Sequence, residues 1–178
     1  MALQKEEFII NTSRLGLREL QKSDFDALCV FLQDIQVMYA WEYAFSDEQV
    51  REFIRAQQQR YQKDGFGYYA AVEKQTGKMI GCIGPLMEHI QGEDFYGLGY
   101  ILSREAWGKG FATEGAGACM EHLFRAFHAP KVVAEIRPEN RASIAVAQRL
   151  GMRKEGEFVK IVQGKEMPHA IYVKYANG

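Results

Sequence analysis

The sequence predicts an α/β (α+β) protein whose sheet starts with antiparallel neighbours and continues through β-α-β units. Three observations predict it. The apolar pattern switches between period two and period 3.6 in the order β-α-α-β-β-β-α-β-α-β-β. Two apolar runs, residues 66–73 and 79–84, flank a short turn at 74–78 and read as a β-hairpin. A strand over 95–102 then passes into a helix through a link that contains Gly108 and Gly110. The regular strand–helix alternation of a dinucleotide-binding domain is not seen.

Each element has its own signature. Residues 15–20 alternate in hydrophobicity and form the first strand. Ser23-Asp-Phe-Asp opens a helix with Phe25, Leu28 and Leu32 on one face. Ser46-Asp-Glu-Gln49 has the capping-box spacing. Val50, Phe53, Ile54, Gln57 and Tyr61 follow at helical intervals, and Asp64-Gly65 ends that second helix. A polar loop over 88–94 joins the hairpin to the strand at 95–102. After Gly110, the spacing of Ala112, Ala116, Cys119, Met120, Leu123 and Phe127 predicts a third helix, stopped before Pro130. Residues 131–136 read as a strand. Asn140 caps a fourth helix that runs to Leu150-Gly151, and residues 158–162 and 169–175 form two last strands around a turn at Gly164.

Bulk properties narrow the function. The 178 residues fit one domain, 1–178, with a full core. The formal net charge of −1 offers no basic excess for nucleic acid. No apolar run is long enough to span a bilayer, and residues 1–7 carry acids and lack the apolar stretch of a signal peptide. The expected compartment is the cytoplasm. Cys29, Cys82 and Cys119 lie far apart among apolar residues, without zinc spacing, so no metal is expected.

The link Leu102-Ser103-Arg-Glu-Ala-Trp107-Gly108-Lys109-Gly110-Phe111-Ala112-Thr113 carries the chemistry. The first N–H groups of a helix have no internal partner, and the dipole there is positive. With two glycines in front, backbone N–H groups from Gly108 to Thr113 can approach an anion such as a pyrophosphate, and Lys109 adds charge. Gly-x-Gly alone equally describes a plain strand–helix turn. Two rival motifs fail: a Walker A loop needs Gly-Lys-Ser/Thr, but Gly110 follows Lys109, and a dinucleotide fingerprint needs glycine where Thr113 stands.

Trp107-Gly-Lys-Gly-Phe-Ala-Thr113, together with Asn140-Arg-Ala-Ser143 and Leu150-Gly151-Met152, resembles the GNAT superfamily, and within it the RimJ/RimL-like group of N-acetyltransferases. The family pyrophosphate loop is Gln/Arg-x-x-Gly-x-Gly/Ala. Gly110 and Ala112 match, and Trp107 stands at the Gln/Arg position, as is usual in the narrower group. The resemblance spans residues 15–175. It implies a mixed, mostly antiparallel sheet of about seven strands, splayed at the middle and flanked by about four helices. It implies acetyl-CoA as cofactor. Its pantetheine arm would lie against Ile101, Leu102 and Ser103, and its pyrophosphate on Trp107 to Thr113. Asn140 and Ser143 would lie beside the arm. The implied reaction is acetyl transfer to a primary amine, of a peptide N-terminus or a small molecule, by direct attack in a ternary complex. A homodimer is compatible with the sequence.

Catalytic groups are less determined. The group's usual strand Glu is replaced by Gly97 in Gly97-Leu-Gly-Tyr100. Ser143 and Tyr100 are candidate donors to the departing thiolate. Asp94, with Glu88, Glu93, His89 and His169, is a candidate base or relay. Trp41, Tyr43 and His169 are candidates for the acceptor pocket. Each has a plain alternative: Asn140 as an N-cap, Ser143 as a first-turn residue, the aromatics as core, the loop acids and histidines as solvated groups. The missing Glu also leaves room for a non-catalytic acyl-CoA-binding module. A nucleotide-binding or redox domain is disfavoured by the failed glycine patterns.

Overall fold

The central strands are buried in continuous runs, and several strands are longer than the apolar runs alone suggest. The computed structural model describes residues 7–177. The signal-peptide reading of residues 1–7 therefore lies, Glu7 apart, outside the described residues. In chain order the elements are β1 (Ile10–Asn11), β2 (Leu15–Arg18), α1 (Phe25–Leu32), α2 (Asp47–Lys63), β3 (Tyr69–Glu73), β4 (Met79–Ile90), β5 (Glu93–Leu102), α3 (Phe111–Ala126), β6 (Lys131–Ile136), α4 (Arg141–Arg149), β7 (Arg153–Val162) and β8 (Lys165–Tyr175).

The eight strands form one sheet in the order β1-β2-β3-β4-β5-β6-β8-β7. The sequence led to about seven. The extra strand, β1, has two residues, too few for a periodic signal. The expected polar loop over 88–94 is also corrected. β4 continues to Ile90, and only Gln91 and Gly92 turn the chain, at φ 52° and 85°. Two consecutive positive φ values make the tight hairpin turn whose twist matches the flanking strands. β7 and β8 likewise extend to Val162 and Lys165 around Gln163-Gly164.

Two apolar layers clamp the sheet. On one face α3 packs Phe111, Ala116, Cys119 and Leu123 against Leu15, Ile83 and Val132. On the other, α1 and α2 pack Leu28, Phe31, Val50 and Ile54 against Ala70, Cys82 and Ile101. Local chemistry fixes the helix starts. Ser46 Oγ accepts from Gln49 N–H at 3.2 Å while Gln49 Oε1 accepts from Ser46 N–H at 2.8 Å. Asn140 Oδ1 accepts from Ser143 N–H at 3.2 Å.

The centre of the sheet is where the fold makes room. All strand pairs are antiparallel except β5–β6, which is parallel and registers at a single pair, Gly97 with Val133. β5 meanwhile pairs with β4 as far as Leu102, and β6 pairs with β8 along its whole length. Beyond Gly97 the two central strands therefore diverge.

Candidate active site

The divergence leaves backbone polar groups without a ladder. Ser103 N–H donates to the Ile80 carbonyl at 2.9 Å. Bonded residues alternate in an antiparallel ladder. Ile101 and Ser103 therefore turn their main-chain groups to β4, and Tyr100 and Leu102 turn theirs into the gap. Leu102 C=O accepts from Trp107 Nε1 at 3.1 Å, which folds the half-exposed indole back over the strand end.

The loop below the gap is held open by backbone conformation. Gly108 and Gly110 have φ 72° and 80°, and Gly110 is the N-cap of α3. The left-handed values suit glycine, and they aim the first N–H groups of α3 outward rather than along the chain. A latch from the turn before β2 steadies this loop: Arg14 Nη1 donates to the Lys109 carbonyl at 2.8 Å, and Arg14 Nη2 pairs with Glu114 Oε2 at 2.7 Å.

Glu114 is the anchor of that latch. It accepts from Thr12 Oγ1 at 2.6 Å, from Arg14 N–H at 2.9 Å and from Arg14 Nε at 2.7 Å. Partial burial works to raise its pKa, but the bonds from Thr12 and Arg14 outweigh it and hold the carboxyl below its ordinary value. A depressed carboxylate contributes stability above its unfolded pKa and loses it as pH falls through the folded value. Glu114→Ala should therefore cost about 1–3 kcal/mol at neutral pH. The difference should shrink below the ordinary carboxylate range. Urea unfolding at pH 7 and pH 3 checks this; an equal loss at both would show that the charge is irrelevant.

Loop and gap open into one cavity of ≈ 1450 Å³. It takes in Ile101, Leu102, Trp107, Gly108, Gly110, Phe111, Ala112 and Thr113, with Tyr100, Asn140 and Ser143 at the centre and Trp41, Tyr43 and His169 at the other end. Ser103 and Lys109 do not line it. Tyr100 Oη donates to the Ser143 carbonyl at 2.9 Å, bracing β5 against α4 across the gap. Burial pushes its pKa up to about 12, so it stays a neutral donor. The Ser143 hydroxyl bonds to no other described residue.

The far end is walled by the loop before α2. Tyr39 Oη donates to Asn140 Oδ1 at 2.8 Å, Arg137 Nη1 to the Ala40 carbonyl at 3.0 Å, and Lys165 pairs with Glu42 at 2.6 Å. Tyr43 stacks on Phe45 with centroids 5.6 Å apart, and Phe45, Phe53 and Tyr68 continue the aromatic wall. His169 Nδ1 lies 2.9 Å from the Met167 carbonyl, which can only accept, so Nδ1 carries the proton and Nε2 is free. Burial lowers its pKa, keeping the ring neutral.

Asp94 is not brought to this cavity. With β4 extended to Ile90, residues 93 and 94 ride on the outer hairpin tip, where exposed Asp94 bonds His89 Nδ1 at 2.7 Å. Glu93 and His89 lie outside with it. Glu88 does line the cavity, and so does Glu135, which the sequence reading passed over. The available signal was a lone acid in the apolar run Val132-Val-Ala-Glu-Ile136. Among the described residues no cluster of His, Cys, Asp and Glu is arranged to hold a metal, and no helix is long and apolar enough to cross a membrane.

A family model for the acetyltransferase (GNAT) domain matches residues 14–153. The chain belongs to the GNAT acetyltransferase family. Acetyl transfer from acetyl-CoA to an amine is that family's general reaction, and the chain is an N-acetyltransferase by that membership. It is 31% identical over 162 residues to the uncharacterized protein YkkB of Bacillus subtilis (strain 168), covering 90% of this chain and 92% of YkkB. It is 29% identical over 154 residues to the uncharacterized N-acetyltransferase YnaD of the same organism, covering 86% and 87%. Among solved structures, RimL, a ribosomal L7/L12 α-N-protein acetyltransferase in complex with coenzyme A, superposes with a TM-score of 0.77 at 22% identity, covering 95% of this chain and 98% of RimL. The GNAT fold, with its eight-stranded mixed sheet, is thus shared with a member of the narrower RimJ/RimL-like group.

Proposed function

We propose that residues 1–178 form one cytoplasmic GNAT domain that binds acetyl-CoA in the gap between β5 and β6. Its acceptor is a primary amine entering between the loop before α2 and the β7–β8 hairpin. The observation that carries this reading is the single-pair junction of β5 and β6, opening into a cavity that also contains the N-terminus of α3. The gap-facing groups of Tyr100 and Leu102 suit an amide-bearing pantetheine arm, and the outward N–H groups of Gly108 to Thr113 suit a pyrophosphate. Bound there, acetyl-CoA supplies an activated acyl group. The chain supplies orientation, which converts a bimolecular encounter into a local one. The Ser143 hydroxyl is the donor for charge that develops on sulfur, and Tyr100 positions α4 to present it.

The aromatic wall of Tyr43, Phe45, Phe53 and Tyr68, with Trp41 beside it, favours an amine on an apolar or aromatic carrier over a linear polyamine. The test is a thiol-release assay with acetyl-CoA against phenethylamine, hydrophobic N-terminal peptides, spermidine and an aminoglycoside. The first two should be acetylated with the highest kcat/KM. Preference for spermidine would contradict the acceptor reading. A companion experiment concerns the cofactor: a ligand that binds only the native state raises its melting temperature by mass action. CoA and acetyl-CoA should raise it, whereas NAD and ATP should not. The reverse pattern would refute the site.

A further inference from the structure

The strand glycine that replaces the group's usual Glu has not left its place empty. An added Cβ at Gly97 would fall 2.5 Å from Glu88 Cγ and 3.3 Å from the Val133 carbonyl oxygen. The Glu88 side chain, coming from the neighbouring strand β4, already lies over the bare backbone of Gly97. From the other side, β6 brings Glu135, whose negative charge acts on Glu88. The Glu135 side chain is 6% exposed; its Oε2 pairs with Lys160 Nζ at 3.0 Å, and its Oε1 is buried with no protein partner among the described residues. The unprotonated pair leaves that oxygen without a donor, and a proton taken up by Glu88 supplies it. Both carboxyls line the same cavity as Tyr100 and Ser143.

We propose that Glu88 and Glu135 form a proton-sharing carboxyl pair in which Glu88, reaching over Gly97 from β4, is the general base for the acceptor amine. The proposal rests on the acetyl-transfer reading above. The amine arrives as an ammonium. One of its N–H bonds breaks and an O–H bond forms at Glu88. The freed nitrogen lone pair then forms the C–N bond of the amide as the C–S bond breaks. Of the two protons the nitrogen loses, one ends on the CoA sulfur and the other passes from Glu88 to solvent.

The surroundings suit this task. Burial pushes Glu88 up to about 7, with the neighbouring Glu135 charge adding to it, while Lys160 and Arg60 pull the other way. The charged and titratable groups facing it are Arg60 from α2, Tyr68 from just before β3, Glu135 from β6, Lys160 from β7 and His169 from β8. A base poised near the working pH is effective because it is free to accept a proton and ready to release it. The sign follows from the direction of the shift. The base form is lost as pH falls through about 7, so kcat/KM should decline on the acid side there.

The experiment uses the full chain, acetyl-CoA and phenethylamine, with hydrophobic N-terminal peptides as second acceptors. Glu88→Gln should lower kcat/KM by about 100-fold or more at pH 7, leave the KM for acetyl-CoA unchanged and erase the acid limb. Lys160→Met should move the limb to higher pH and Glu135→Gln to lower pH. Returning the carboxylate to β5, with Glu88→Gly and Gly97→Glu combined, should restore part of the activity that Glu88→Gly alone loses. Full activity in Glu88→Gln, or a limb that stays put in the Lys160 and Glu135 variants, would overturn the proposal. A ¹³C NMR titration of the carboxyls in CoA-bound protein provides a readout without turnover. A resonance absent from Glu88→Gln should titrate near 7. If no amine is acetylated, the acetyl-transfer reading and the base fall together, and that titration still decides whether the pair shares a proton. A Glu88 that titrates in the ordinary carboxylate range overturns the pair, whatever the acceptor.

Discussion

Gly110→Val should weaken CoA binding by about two orders of magnitude while the protein still folds. At φ 80° a β-branched residue is strained by about 1–2 kcal/mol, and relaxing that strain rotates the first N–H groups of α3 away from their common focus. Each bond from such a group to a charged oxygen is worth about 1.5–3 kcal/mol. Losing one bond and retaining some strain comes to about 3 kcal/mol, or roughly 100-fold in affinity. Crowding within the protein is not the cause, because a Cβ at Gly110 meets only Arg14 Nη2, at 3.4 Å. Gly108→Ala, at φ 72° with open space around its Cβ, should show a smaller loss of the same kind. Calorimetric titration with CoA measures both. Unchanged affinity in Gly110→Val would remove the loop from the site.

Ser143→Ala should lower kcat by about 10- to 100-fold, within the range for groups that exchange protons with the reacting centre, and leave CoA affinity intact. The structure separates its role from that of Tyr100. The Tyr100 hydroxyl is spent on the Ser143 carbonyl, whereas the Ser143 hydroxyl bonds to no other described residue and its residue lines the cavity. Tyr100→Phe should then lower kcat by loosening the brace between β5 and α4, and leave a carbonyl short of a donor. Because both act on the placement of one hydroxyl, the double variant should fall well short of the product of the two single effects. Multiplicative losses would mean that the two residues act independently. Full turnover in Ser143→Ala would reduce Ser143 to a helix residue.

Much of this architecture was legible before any coordinates. Alternation located β2, apolar runs located β3 to β6, the Ser46–Gln49 box located the start of α2, and Asn140 located the start of α4. The glycines around Lys109 marked the strand-to-helix link, and both have left-handed φ values there. The hairpin tips were harder to read. Glu88, His89, Gln91, Glu93 and Asp94 look like a solvated loop, since composition cannot distinguish such a loop from a long strand with one buried polar face. That reading put Glu88, which lines the cavity, on a level with Asp94, which the strand carries to the exposed hairpin tip. Glu135 was hidden for a different reason. Its partners Lys160 and Glu88 lie 25 and 47 positions away, on strands that only the finished sheet brings together. The absence of a Glu at Gly97 could be seen in the sequence, but the placement of Glu88 over that glycine, on a strand rather than a loop, could not.

The account depends most on where CoA lies. A crystal structure of the CoA complex tests this directly. It should show the pantetheine arm between β5 and β6, facing the backbone of Tyr100 and Leu102, with pyrophosphate oxygens about 3 Å from N–H groups in residues 108–113. CoA bound elsewhere, with β5 and β6 closed on each other beyond Gly97, would contradict it.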